Sequence, residues 1–208
     1  MSLTLIFVIA TVLASLQGWK NNDFQRKWIF NPYSVNKYNQ YYRFITSGFI
    51  HADYIHLFFN MFVLYMFGEG VEQTFVTLFG LQGYFFFGGL YLLGIVVSSI
   101  PTYLKFRHAA YYNSLGASGG TSSVLFSYVM FYPVAELCPY GITFLCLPGF
   151  IWMLLYLIYS YFMSKKGADN INHDAHITGG IFGIIFTFAV LPKIGVTFLE
   201  QIINYQMF

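Results

Sequence analysis

The chain alternates long apolar runs with short charged punctuation, rather than apolar and polar residues at every second position. No Asp, Glu, Lys or Arg precedes Lys20, and residues 3–17 form a first, short apolar span. Residues 20–43 are polar and aromatic, with Asn21-Asn22-Asp23 and Asn31-Pro32, and read as a long ordered loop. Further apolar segments cover 52–70, 78–100, 117–134, 142–163 and 174–192. Each is close to the ~20 residues an α-helix needs to cross a bilayer, the first two at the short end. Continuous apolar character argues against membrane strands, which alternate. Pro101 is expected to end the third span, and residues 196–208 form an amphipathic tail suited to the membrane interface. The pattern predicts one all-α membrane domain over 1–208, six transmembrane helices with a long loop between the first and second.

Composition agrees. Of 208 residues 57% are hydrophobic and only 9% charged, where a soluble domain carries about a quarter. A soluble fold of this size has too little interior to hide so much apolar surface. The net charge of +2 and the lack of a basic run exclude nucleic acid as a partner class. Cys138 and Cys146 stand in no CxxC or zinc-like grouping and read as packing residues; no metal or cofactor is expected. The N-terminus lacks a basic region and a small-x-small site, so a cleavable leader is not expected.

Six spans alternate in direction, so the second, fourth and sixth begin on one membrane face. The unusual polar residues cluster there. His51, His56 and Asn60 stand at the start of the second span, Gly116-Ala117-Ser118-Gly119-Gly120 opens the fourth, and Asp174-Ala175-His176 opens the sixth. Ionisable groups inside spans are expensive and mark functional sites.

Ser118 is a candidate nucleophile: flanking glycines allow a tight turn, and backbone N–H groups at a helix start can point at an oxyanion. The plainer reading is a serine N-cap in a glycine-rich turn. His176 is a candidate general base, with Gly179 and Gly183 forming a small-xxx-small face for close helix contact. Against it stands an ordinary interfacial histidine. His56 and Asn60 are spaced i, i+4, share a face and can donate to an oxyanion; interhelical hydrogen bonding is the plainer role. His51 points elsewhere and suits a brace for the long loop. A soluble nucleophile elbow needs a preceding strand, which is absent. An H-E-x-x-H metal site and an intramembrane aspartate pair are absent too.

With these residues in view, the sequence resembles the rhomboid family. Its G-x-S-G is similar to Gly116 through Gly119, and its A-H-x-x-G-x-x-x-G to Ala175 through Gly183. Its H-x4-H-x3-N resembles His51, His56 and Asn60; its loop Trp-Arg resembles Tyr42-Arg43, and its glutamate looks like Glu72. The resemblance implies a Ser118–His176 dyad without an acidic third member, oxyanion stabilisation by His56, Asn60 and the Ser118 N–H, and an acyl-enzyme. It implies substrates that are transmembrane segments of other proteins, a small residue at the cleaved bond, and a multi-pass place in a bacterial plasma membrane. Structural support is expected from His51, Arg43, Glu72, Gly116, Gly119, Gly179 and Gly183. Some family members carry an aromatic ring one turn after the serine; here that position is Ser122. The alternatives are a non-catalytic rhomboid-like protein that binds client helices and a transporter with His51, His56 and His176 on a proton or metal path. On orientation two arguments collide. Nine of the ten basic residues lie on the active face, which the positive-inside rule places in the cytoplasm, whereas the resemblance puts that face outside. Because family topology is tied to how substrate enters, the expectation is an outward-facing site, with a cysteine near Lys37 labelled from outside the cell.

Overall fold

The computed structural model describes residues 1–138, 146–167 and 171–206. Helix α1 (Leu3–Lys20) leads through three short helices, α2 (Asn22–Trp28), α3 (Pro32–Tyr38) and α4 (Arg43–Thr46), and a 3-10 turn at Ser47–Phe49 into α5 (Tyr54–Phe79). There follow α6 (Gln82–Ser98), α7 (Ile100–Phe106), α8 (Ser118–Phe131), α9 (Gly149–Lys166), α10 (His173–Val190) and α11 (Ile194–Ile203). Among the described residues four helical stretches are long and apolar enough to cross a membrane: Leu3–Lys20, Tyr54–Phe79, Gln82–Phe106 and His173–Val190.

Helix α8 is the hub. Eleven of its 14 residues are buried, and it packs against α5, α6 and α10. At a rise of ~1.5 Å per residue it is about 21 Å long, less than the ~30 Å of a hydrocarbon core. Its polar ends therefore depend on surrounding protein rather than lipid for partners. Its contact with α10 is backbone to backbone. A Cβ on Gly179 would stand 2.3 Å from the Gly119 carbonyl oxygen, and one on Gly183 2.2 Å from that of Ser123. Ser123 Oγ lies 2.8 Å from both the Gly119 and Gly179 carbonyls, and Thr187 donates to Ser127 Oγ at 2.7 Å. Small residues let backbones approach, and hydroxyls then bond across the seam.

Several sequence expectations need correction. Residues 20–43, read as loop, are largely helical, because Asn21 and Asn31 cap α2 and α3 with their side-chain oxygens and Pro32 starts α3. Pro101 does not end the third span. It sits in the first turn of α7, where its missing N–H has no partner to lose, and the apolar stretch runs on to Phe106. The fourth span is shorter than expected. The fifth begins at Gly149, the start expected at 142 lying outside the described residues. Cys138 and Cys146 are not packing residues: they form a disulfide with Cα atoms 4.1 Å apart. Pairing of Glu136 with Pro148 and Leu137 with Leu147 brings them together. The amphipathic tail begins earlier than expected, α11 starting at Ile194.

Candidate active site

Ser118 opens α8 as its first helical residue. The cap position belongs to Ala117, which makes no side-chain cap bond, so the serine hydroxyl is not used for N-capping. The first intrahelical bond runs from Thr121 N–H to Ala117 O at 2.9 Å. The N–H groups of Ser118, Gly119 and Gly120 precede it and point out of the helix end.

The turn before Ser118 is fixed by three contacts. Gly116 has φ +115°, a conformation that suits glycine, and an added Cβ would stand 2.6 Å from His56 Cε1. Its N–H donates to Ser47 O at 2.9 Å. The Ala117 N–H donates to His51 Nε2 at 3.2 Å, and His51 Nδ1 lies 3.1 Å from Ser15 Oγ on α1. Because Nε2 accepts, Nδ1 carries the proton and donates to Ser15, whose hydroxyl donates to Phe49 O at 3.2 Å. His51 is fully buried, and burial, with His56 adding to it, pushes its pKa down to about 3.

The segment between α1 and α5 is hooked onto the same turn. Phe30 and Ser114 exchange backbone bonds at 3.0 and 2.9 Å, and Asn31 donates to Tyr112 O at 3.0 Å. Arg43, 7% exposed, donates to Gln40 Oε1, Arg26 O and Ile29 O, each at 2.7 Å. Its guanidinium thus cross-links α2, α3's exit and α4, and holds Ile29 at the edge of the cavity described next. Glu72 is remoter still. At the far part of α5, it accepts from Leu3 N–H at 2.8 Å and from Thr4 N–H and Oγ1 at 2.7 Å each. A carboxylate there satisfies the open N–H groups of α1 and complements its dipole; Glu69 adds a short bond from Ser2.

A cavity of about 1020 Å³ opens over the start of α8, and Ser118, His176, His56 and Asn60 all line it. Asn60 donates from Nδ2 to His56 O at 2.9 Å, which sets its amide, and its Oδ1 lies 3.3 Å from Thr121 Oγ1, whose single proton is shared with Ser118 O at 3.1 Å. One amide N–H remains to be directed into the cavity. At the start of α10, Asn172 caps the helix through Ala175 N–H at 3.1 Å and donates to Thr102 Oγ1 at 2.8 Å. Asp174 accepts a short bond from Ser164 at the end of α9. Gly179 and Gly119 draw the two helix starts together, and an added Cβ on Gly119 would meet Ser98 Oγ on α6.

The sequence reading missed the residues that surround this set. Thr121 lies beside Asn60. Tyr156 on α9 lies nearly parallel to the His176 ring, centroids 6.0 Å apart and planes at 21°, and its hydroxyl is 2.8 Å from Ser122 Oγ. Nothing distinguishes Tyr156 among 18 tyrosines. Only the packing of α9 against α8 and α10 selects it. Among the described residues no cluster of three or more metal-ligating side chains is found.

A family model described as the Rhomboid domain matches residues 38–193. The chain is 24% identical over 199 residues to Rhomboid-like protein 11, chloroplastic, of Arabidopsis thaliana, a match covering 86% of this chain and 62% of that protein. It is 27% identical over 151 residues to Rhomboid protease GlpG of Haemophilus influenzae, covering 72% of this chain and 70% of the relative. The chain thus spans less than two thirds of the length of the plant relative.

Proposed function

The chain belongs to the rhomboid family, and from that premise we propose that it is an intramembrane serine endopeptidase. Ser118 is the nucleophile and His176 the general base. Ser118 Oγ attacks the scissile carbonyl while its proton passes to His176, giving a tetrahedral oxyanion. The Ser118 N–H, His56 and the spare N–H of Asn60 stabilise that charge. Collapse expels the amine, which takes the proton from His176, and leaves an acyl-enzyme. Water, deprotonated by His176, then hydrolyses the ester and regenerates Ser118. Substrates are transmembrane segments of other proteins, cut at a small residue.

One observation carries this reading. Ser118 and His176, on helices locked together by Gly179 and Gly183, line one cavity with His56 and Asn60. The N1 position of Ser118 supports it further, since the hydroxyl serves no cap. The likeness to a protein named a rhomboid protease, at 27% identity, agrees. Purified protein is expected to be labelled by a fluorophosphonate probe, and Ser118→Ala to abolish the labelling. Wild-type protein that takes no label, but binds transmembrane helices, would instead be a client-binding member of the family.

A further inference from the structure

The rings around His176 form a ladder built from three helices. Tyr156 and Tyr159 stand three residues apart on α9, and His173 and His176 three apart on α10, so each pair shares a helix face. Tyr159 meets His173 edge-on, centroids 5.7 Å apart and planes at 80°. His173 meets His176 edge-on at 5.6 Å and 73°. Tyr156 lies nearly parallel to His176 at 6.0 Å and 21°. Tyr156 is itself held from α8 twice. Its hydroxyl is 2.8 Å from Ser122 Oγ, and its ring meets Phe126 edge-on at 5.6 Å and 66°.

We propose that Tyr156 is the positioning residue for His176, its ring supplied by α9 and pinned to the serine helix through Ser122. The inference rests on the reading of Ser118 and His176 as the reacting pair. A general base works only when its lone pair is held toward the proton it removes. An imidazole fixed on one face by a near-parallel ring and on another by the edge contact of His173 has little freedom to swing away. Ser122 stands one turn after Ser118 on the same face of α8 and is 3% exposed. A small side chain there leaves room for a ring arriving from α9, and its hydroxyl fixes that ring's height. The base is therefore oriented from a different helix than the one that carries the nucleophile.

The test follows two rates in purified protein: fluorophosphonate labelling of Ser118, which requires the base but no substrate helix, and turnover of a transmembrane substrate. Tyr156→Leu is expected to slow both by about tenfold with KM unchanged, the upper end of what an aromatic contact is worth. Tyr156→Phe keeps the ring but loses the tie to Ser122, and is expected to fall between wild type and Tyr156→Leu. The exchange variant Ser122→Phe/Tyr156→Ala returns a ring to His176 from α8 and recovers labelling lost in Tyr156→Ala. Labelling of Tyr156→Leu at the wild-type rate, or a change confined to KM, overturns the proposal. So does an exchange variant no faster than Tyr156→Ala, which covers the case in which Tyr156→Leu unfolds. A wild-type protein that never labels rejects the protease reading itself, whereas an active wild type with an indifferent Tyr156 rejects only the positioning role.

Discussion

His51 Nε2 accepts the N–H of Ala117 at 3.2 Å, so a loop histidine 66 residues upstream holds the residue next to Ser118. The bond exists only while His51 is neutral. Its folded pKa of about 3 lies below the ordinary 6.5, pushed there first by burial and then by His56, with Asp53 opposing. The unfolded chain therefore binds the proton more readily between those values. The stabilisation is complete above about pH 6.5 and is lost as pH falls, by about 1.4 kcal/mol per unit. Wild-type protein in detergent is expected to melt at lower temperature at pH 5 than at pH 7, and His51→Gln to show a flatter profile. An unchanged slope in the variant would remove His51 as the source.

Gly179→Ala and Gly183→Ala are expected to be among the most damaging single methyl additions. Each Cβ would meet a backbone carbonyl of α8 at 2.3 or 2.2 Å, and backbone cannot move aside as a side-chain tip can. Overpacking of this kind costs about 1–3 kcal/mol or more. Gly80→Ala is the control for strain without crowding, since φ is +58° and nothing lies within 4 Å. Thermal unfolding should rank both α10 variants below Gly80→Ala; the reverse order would mean that α8 and α10 are less tightly apposed.

Ser118→Ala and His176→Ala are each expected to abolish turnover of a transmembrane substrate while leaving the fold intact. Members of a dyad act as one unit, so the double variant should be scarcely worse than either single one. Two partial losses that simply add would point to independent roles.

Asn60→Ala should reduce kcat far more than it raises KM, because an oxyanion donor acts mainly in the transition state. A loss of about 2–4 kcal/mol is expected. Thr121→Val should reproduce at most a fraction of it, since Thr121 Oγ1 lies 3.3 Å from Asn60 Oδ1 and shares its single proton with Ser118 O. Were Asn60→Ala to change KM alone, the amide would be a binding group.

Nine of ten basic residues lie on the face where α5, α8 and α10 begin. The Cys138–Cys146 disulfide lies on the opposite face, beyond the end of α8. Disulfides persist in oxidising compartments and basic loops stay in the cytoplasm, so both arguments favour a cytoplasmic cavity. This opposes the outward-facing site that the rhomboid resemblance implies. A cysteine replacing Lys37 is expected to react with an impermeant thiol reagent only after permeabilisation. Reaction in intact cells would restore the outward topology.

The apolar runs alone determined that this is a helical membrane protein. Hydrocarbon leaves the backbone no partners but its own, so a long apolar segment has one common solution. Alternation of helix direction then puts Ser118, His176, His56 and Asn60 at one face. Residues whose role rests on backbone spacing, such as Gly179 and Gly183, were legible for the same reason. Three matters were decided only by tertiary structure. Tyr156 is one of many aromatic residues in an apolar run, and its place beside His176 depends on how α9 leans on α8 and α10. The disulfide depends on a two-residue strand pairing too short to leave a periodic signal. The helices within residues 20–43 depend on side-chain caps and on the anchoring of Phe30 and Asn31 to the turn before Ser118. Hydrophobic pattern reports what a residue's solvent is, whereas these contacts depend on which distant residue becomes its neighbour.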